Sequence, residues 1–203
     1  MRVGKKGSIC ITLGVLLIAS ALLLTGYNRL IEFHADKVSK SIFEQLVPIK
    51  EASAQENPKY IENPNIQMPV GAVYEYDCIG TLDIPSLKLK LPVMSEWDYS
   101  KLRISPCRYT GSVYQNNLII CAHNYKQHFG KIKTLEVGDS MSFTDMYGNV
   151  FRFKVSDIET VKPDTPENIT TGNWDLTLFT CTVGGTSRIT VRCVRESEND
   201  YGT

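Results

Sequence analysis

The sequence has no net charge: 22 lysines and arginines balance 22 aspartates and glutamates over 203 residues. That removes the electrostatic footprint of a nucleic-acid binder. None of its six cysteines forms a Cys-x-x-Cys pair, so the usual zinc spacing is missing. Asp139, Asp145 and Asp157 are too dispersed for a calcium loop. There are only three histidines, His34, His123 and His128, and no charged residue at all from Gly7 to Asn28. The length leaves room for one domain with attachments. The zero net charge hides an asymmetry, because Arg2, Lys5 and Lys6 precede any acidic residue and the remainder is mildly acidic.

The uncharged stretch is almost wholly aliphatic from Ile9 to Tyr27. A helix of about 20 such residues spans the hydrocarbon core of a bilayer. Ala19-Ser20-Ala21 has the small residues of a signal-peptide cleavage site, but Leu22-Leu23-Leu24 carries the apolar run past it, which favours an uncleaved anchor. The three early cations hold the N-terminus in the cytoplasm. The expectation is a single-pass protein of the cell membrane with its body outside. Cys10 lies in the anchor, leaving Cys78, Cys107, Cys121, Cys181 and Cys193 outside. That number is odd, so at least one thiol is free or pairs between chains.

Residues 30–47 place Phe33, Val38, Ile42, Phe43 and Leu46 at helical spacing, and Pro48 is expected to end that helix. Residues 51–72 are rich in Glu, Asn, Gln and Pro, with Asn57-Pro58 and Asn63-Pro64, and read as a stalk. From about Tyr76 the pattern changes to short β-like runs. Strands are predicted at Ile79–Ile84, Leu87–Val93, Asn117–His123, Ser140–Thr144, Val150–Thr160, Trp174–Thr182 and Arg188–Arg195. Pro85-Ser86, Tyr147-Gly148-Asn149 and Val183-Gly184-Gly185-Thr186 supply turns. Short helices fit near Tyr99–Ile104 and Phe129–Leu135, and Lys162–Asn173, with Pro163 and Pro166, is the longest connection. This is a mainly β pattern, suited to a closed barrel or sandwich. The organisation reads as tail and anchor over 1–28, juxtamembrane helix and stalk over 29–73, a domain over 74–196, and a polar tail over 197–203.

Three features converge on one chemistry. Thr177-Leu178-Phe179-Thr180-Cys181 puts a cysteine at a strand end before a Gly-Gly hairpin, and Arg188 opens the returning strand. Cys121-Ala122-His123-Asn124 ends a different apolar strand with a histidine. A thiol nucleophile needs an imidazole for proton transfer and a donor for the developing oxyanion. Singly, each residue is commonplace: a strand cysteine is usually a buried apolar residue and a strand-end histidine a surface one. The combination is far more specific.

On these residues the sequence resembles the sortases, membrane-anchored cysteine transpeptidases of Gram-positive bacteria. The resemblance covers about residues 74–196. It rests on Thr-Leu-x-Thr-Cys at 177–181, on Arg188, and on Ala122-His123-Asn124. Ile79-Gly80-Thr81-Leu82-Asp83-Ile84-Pro85, Leu91-Pro92-Val93, Phe129-Gly130-Lys131-Ile132 and Gly138-Asp139 support it. It implies a closed eight-stranded sortase-type β-barrel with short helices, and an active site at one rim beneath residues 162–173. It also implies roles. Cys181 would attack the Thr–Gly carbonyl of a Leu-Pro-x-Thr-Gly-like sorting signal near the C-terminus of a substrate protein. His123 would protonate the departing amine and then serve as base for the incoming one, and Arg188 would stabilise the oxyanion. Thr180 would position Cys181. The partners implied are proteins bearing that signal and an amine acceptor such as a peptidoglycan precursor. No cofactor or metal is expected, with calcium activation left open.

His128 lies past the strand in a polar loop, so strand-end placement favours His123 as the base. Cys121 either lies near the site or faces the core, Cys193 reads as core, and Trp97 and Trp174 read as packing. Pilus-building relatives often carry an Asp-Pro-aromatic lid and a second C-terminal hydrophobic segment. Here the stalk has Asn-Pro and the chain ends in polar Glu196–Thr203, which argues against a pilin polymerase and leaves the class open. Two readings compete: another exported cysteine enzyme, whether a peptidase or an L,D-transpeptidase, and a non-catalytic surface β-domain for adhesion or sensing. The first lacks the Ser-His-Gly-Cys motif or the helix-borne cysteine it would need.

Overall fold

The computed structural model of the protein describes residues 5–52, 59–162 and 167–196. Arg2, Asn57-Pro58, Pro163, Pro166 and the tail from 197 lie outside the described residues. The chain divides into two compact units, Met1–His34 and Ala35–Thr203. Helix α1 (Lys5–Ala52) contributes its first part to the first unit and the rest to the second. Pro48, expected to end this helix, lies inside it. A proline forfeits one backbone donor, and the donors of the residues after it are untouched, so the helix runs on to Ala52. In the first unit Ile9, Leu13, Leu17 and Leu23 all stand exposed. This part of α1 is apolar and long enough to cross a membrane.

In the second unit the described strands are β1 (Gly71–Val73), β2 (Tyr76–Ile84), β3 (Leu89–Met94), β4 (Cys107–Thr110), β5 (Leu118–Ala122), β6 (Ser140–Asp145), β7 (Val150–Val161), β8 (Leu176–Cys181) and β9 (Arg188–Arg195). The helices are α2 (Tyr99–Leu102) and α3 (Glu167–Thr170), and single 3-10 turns occupy Pro85–Leu87, Val113–Gln115 and Ile132–Thr134. Pairing runs β2-β3-β4-β5-β8-β9-β7-β6, and β6 returns to β2, closing an eight-stranded barrel. β1 is an added hairpin arm on the start of β2. β3–β4 and β5–β8 are parallel and the other pairs antiparallel. The seam is tight at Gly80: a Cβ there would sit 2.1 Å from the Thr144 carbonyl oxygen, so only glycine lets β6 approach.

Each predicted strand is present, with small shifts at its ends. Alternation explains β7, where Phe151, Phe153 and Val155 point inward between exposed Arg152 and Lys154. β5 and the first five residues of β8 are buried on both faces, which accounts for the unbroken apolar run of β5 and for the lack of any charge among Leu176, Thr177, Leu178, Phe179 and Thr180 of β8. Leu118, Ile120, Leu176 and Leu178 fill the barrel core, while Ile119, Cys121 and Phe179 join a second cluster on the other face. Ala35, Ser39, Ile42 and Leu46 form one buried stripe of α1, at the spacing of a single helical face. Ile42 and Leu46 complete that second cluster with Val73, Met94 and Cys107.

Two strands were not predicted, β1 and β4. Both are short, and β4 pairs with β5 through a bulge and with β3 at one position, Met94 to Cys107. Its neighbours hold it rather than any pattern of its own. The described part of the expected stalk also differs from a free spacer. Tyr60 stacks on Tyr114 at 4.7 Å, Met68 is buried in the barrel core, and Gly71–Val73 is a strand.

The hairpin after β6 is pinned by one buried carboxylate. Asp145 accepts from the Tyr114 hydroxyl at 2.6 Å, from the backbone N–H groups of Tyr147 and Asn149 at 2.9 Å each, and from the Asn149 side chain at 2.8 Å. Burial, and then this bond, push the Tyr114 phenol up from its ordinary range. Hydrogen bonds to a charged group contribute about 1.5–3 kcal/mol, and stranded buried donors cost more. Asp145→Ala should therefore lower stability by about 3 kcal/mol. A thermal or denaturant melt followed by circular dichroism reads this, and an unchanged midpoint would show that the network is not structural.

Candidate active site

The parallel pairing of β5 with β8 builds the site. Its register sets Cys121 beside Phe179 and Ala122 beside Thr180. One residue on, Cys181 ends β8 on the face of Phe179, and His123 follows the end of β5. The Thr180 hydroxyl donates to the Ala122 carbonyl at 2.8 Å, a buried bond that locks the two strand ends together. On the other side of β8, Cys181 is the direct antiparallel partner of Arg188 on β9. The hairpin between them closes through Thr182 N–H to Ser187 O at 3.0 Å and Gly185 N–H to Thr182 O at 2.9 Å. Gly184 and Gly185 take positive φ there, of 86° and 74°, conformations that suit glycine. The three predicted residues thus sit at adjacent ends of three neighbouring strands.

The side chains differ in how they are held. Arg188 turns one guanidinium nitrogen back on its own hairpin, donating to Gly185 O at 3.0 Å and Ser187 O at 3.1 Å. His123 is half-buried, its ring stacked on Tyr125 with centroids 4.9 Å apart. Burial lowers its pKa below the ordinary value, and the Arg103 guanidinium lowers it further. Arg103 follows α2, whose start is capped by Asp98 accepting from the Lys101 N–H at 2.8 Å. Cys181 is half-buried and lines a cleft of about 320 Å³ with Asn124, Phe129, Gly130, Lys133, Thr182, Val183 and Ile189.

The remaining histidines and thiols fall outside this arrangement. His128, expected in a polar loop, is fully buried. Neither ring nitrogen has a partner at hydrogen-bonding geometry, although the Ile104 backbone lies close enough to favour the charged form. Burial first, and then His123, push its pKa down to about 4. The six cysteines are free thiols. Cys121 belongs to the second cluster and its thiol is pushed up to about 12 by burial, as is that of Cys78. Cys107 and Cys193 are raised as well, mainly by burial. Among the described residues no group of ligating side chains could hold a metal ion.

Two features escaped the sequence reading. Trp97, expected to pack inside, is 41% exposed. It contacts Tyr99 and Tyr109, and Tyr109 meets Phe179 edge-on at 5.2 Å. Trp97 and Tyr109 line a second cleft of about 500 Å³ with Ser95, Glu96 and Arg108. Arg192 is buried and bonds Glu159 at 2.8 Å, the Ile169 carbonyl at 2.7 Å, the Asn168 carbonyl, and the Thr177 hydroxyl at 3.3 Å. It ties α3, in the connection between β7 and β8, to the first threonine of the Thr-Leu-x-Thr-Cys run. Arg192 is one of three arginines in β9, so its sequence carries no signal that sets it apart.

The sortase-domain family model matches residues 82–196. The chain belongs to the sortase family. Sortases are cysteine transpeptidases, so this chain is one, and α1 is a candidate membrane span. Solved sortases share the fold. Sortase C1 from Streptococcus agalactiae is 23% identical, with a TM-score of 0.55 over 84% of this chain and 99% of its own. A sortase D5 transpeptidase from Clostridium perfringens is 20% identical, with a TM-score of 0.54 over 74% and 99%. A Clostridium perfringens sortase C described with the C-terminal cell wall sorting motif is 22% identical, with a TM-score of 0.52 over 87% and 99%. No curated protein sequence matches the chain.

Two measurements test this site. With pKa values near 12, Cys78 and Cys121 hold only about 10⁻⁴ of their population as thiolate at pH 8. In the full chain carrying Cys10→Ala, brief iodoacetamide treatment should label Cys181 and spare the four buried thiols until the protein is denatured. Peptide mass spectrometry distinguishes the sites, and labelling spread over all of them would contradict the burial pattern. For His128 the folded pKa lies below that of the unfolded chain, so the unfolded state binds more protons between about pH 6.5 and pH 4. Stability should fall as pH falls through that window, and His128→Gln should flatten this part of the slope. Parallel slopes in both proteins would show that His128 is not the titrating group.

Proposed function

We propose that this sortase cleaves a Leu-Pro-x-Thr-Gly-like signal at the Thr–Gly bond and passes the acyl group to an amine of the cell envelope. The observation that carries the reading is the placement of Cys181 between Arg188, its partner on β9, and His123, one rung beyond the last pair of β5 and β8. The Cys181 thiolate attacks the threonine carbonyl carbon, and the carbonyl electrons move onto oxygen. The guanidinium of Arg188 stabilises that oxyanion, since two hairpin carbonyls engage one nitrogen and other N–H donors remain. As the oxyanion collapses the C–N bond breaks, and His123 donates a proton to the departing glycine amine. A thioacyl link to Cys181 remains. The incoming amine then attacks it, His123 takes the amine's proton, and the C–S bond breaks to restore the thiolate. Thr180 holds Cys181 in register through its bond to Ala122.

The aromatic file Trp97, Tyr109 and Phe179 leads to within two residues of Cys181 on the same face of β8 and suits an extended peptide with Leu and Pro side chains. The sorting motif described with the Clostridium perfringens sortase C supports this substrate class. The three early cations support an N-terminus in the cytoplasm and a catalytic unit outside. The packing of Ile42, Leu46, Tyr60, Met68 and Val73 supports a catalytic domain that draws on residues before 74.

The test is the full chain in detergent micelles with quenched Leu-Pro-x-Thr-Gly peptides and a small amine, the products identified by mass spectrometry. Amine-ligated product cut at Thr–Gly is expected. Cys181→Ala should abolish it, His123→Ala should slow it by about 10²–10⁴, and Arg188→Ala by about 10²–10³. Failure to cut any peptide, together with a Cys181 that resists alkylation, would sink the assignment.

A further inference from the structure

His123 lies one residue beyond the last ladder position of β5, so strand pairing does not orient its ring. The loop that follows does. The Phe129 N–H returns to the His123 carbonyl at 3.2 Å, and the N–H groups of His128 and Gly130 both donate to the Tyr125 carbonyl at 2.9 Å. Phe129 is fully buried in the barrel core and anchors the loop. Gly130 permits the fold-back, since a Cβ there would meet the Asn124 and Tyr125 carbonyl oxygens at 2.5 and 2.8 Å. Folded this way, the loop stacks three rings in a file. The imidazole of His123 lies on Tyr125 at 4.9 Å with planes 29° apart, and Tyr125 lies against His128 at 5.5 Å and 41°. His128 is buried behind them.

We propose that Tyr125 is a positioning residue for His123, holding the imidazole in its working plane and shielding one face from water, with the buried His128 ring as backing. The inference rests on the acid–base role given to His123. The groups facing this file from other elements are Arg103 after α2, acting on His123, and Asp36 on α1, acting on His128. Among the described residues Tyr125 is the ring stacked on the imidazole, so Tyr125 sets its plane. The stacking contact is made by the ring.

The test uses the full chain in micelles, with transpeptidation kinetics and the His123 imidazole proton titration by NMR. Tyr125→Phe should keep kcat and the His123 titration near wild type. Tyr125→Ala should lower kcat about tenfold or more, short of the loss in His123→Ala, with KM for the peptide little changed. The same variant wets the ring face, so the His123 titration should move up toward the ordinary histidine value. If Tyr125→Ala does not fold, Tyr125→Leu keeps the apolar bulk without the flat ring and should show the same loss. Wild-type kcat and titration in Tyr125→Ala or Tyr125→Leu would overturn the proposal, as would a Tyr125→Phe protein as impaired as either. If His123→Ala itself retains full activity, the acid–base reading fails instead, and the titration still reports whether Tyr125 covers the ring.

Discussion

The site depends on one non-local pairing, that of β5 with β8 in parallel. Strands joined this way cannot be a hairpin. The chain must leave the end of β5, build β6 and β7, and return, and the Thr180–Ala122 bond spans 58 residues of sequence. The closure entropy of so long a loop is offset only if both strands bury heavily, and both are covered on their two faces. That double burial explains why Leu118-Ile119-Ile120-Cys121-Ala122 reads as a continuous apolar run and why Leu176-Thr177-Leu178-Phe179 carries no charge. It also leaves the strand ends as the place for the proposed chemistry, where Cys181 and His123 leave the packed layer.

The second face needs a cover, and α1 supplies part of it. Its buried stripe from Ala35 to Leu46 packs on the cluster that holds Cys121 and Phe179, the residues directly beneath the reactive rung. Ser39 adds a polar contact in this layer, lying 3.2 Å from Ser105, which donates to the Pro92 carbonyl. Apolar burial at about 25 cal/mol per Å² makes such a stripe a substantial stabiliser. The segment read from sequence as a juxtamembrane helix is therefore part of the floor beneath the candidate site.

Much of this was legible in the sequence because it was local. Period-two alternation marks β7, glycine and proline mark the turns, and the Thr-Leu-x-Thr-Cys run with a following arginine marks the hairpin that carries Cys181 and Arg188. What was hidden depended on contacts distant in sequence. β4 has no pattern of its own and exists because β5 offers it a ladder. Arg192 reads as a surface charge until α3 and Thr177 close around it. His128 sits in a polar stretch of sequence, yet the fold-back at Gly130 takes its ring wholly out of water. Tyr125 carries no motif signal at all, because its place is defined by the ring it stacks against.

Residue type alone does not pick out the proposed nucleophile, Cys181. Cys121 and Cys181 occupy adjacent strands and share a face, and Cys121 is only two residues from His123. Burial raises the Cys121 thiol to about 12, where it is inert at neutral pH. Cys181 differs by lying past the last fully covered position of β8, beside a cleft and paired in the ladder with Arg188 of β9. Moving a cysteine two residues back along β8, to the place of Phe179, would bury it in the same cluster as Cys121 and give it the same fate. The exposure of Cys181, one residue past the last β5–β8 pair, follows from where the packed layer stops.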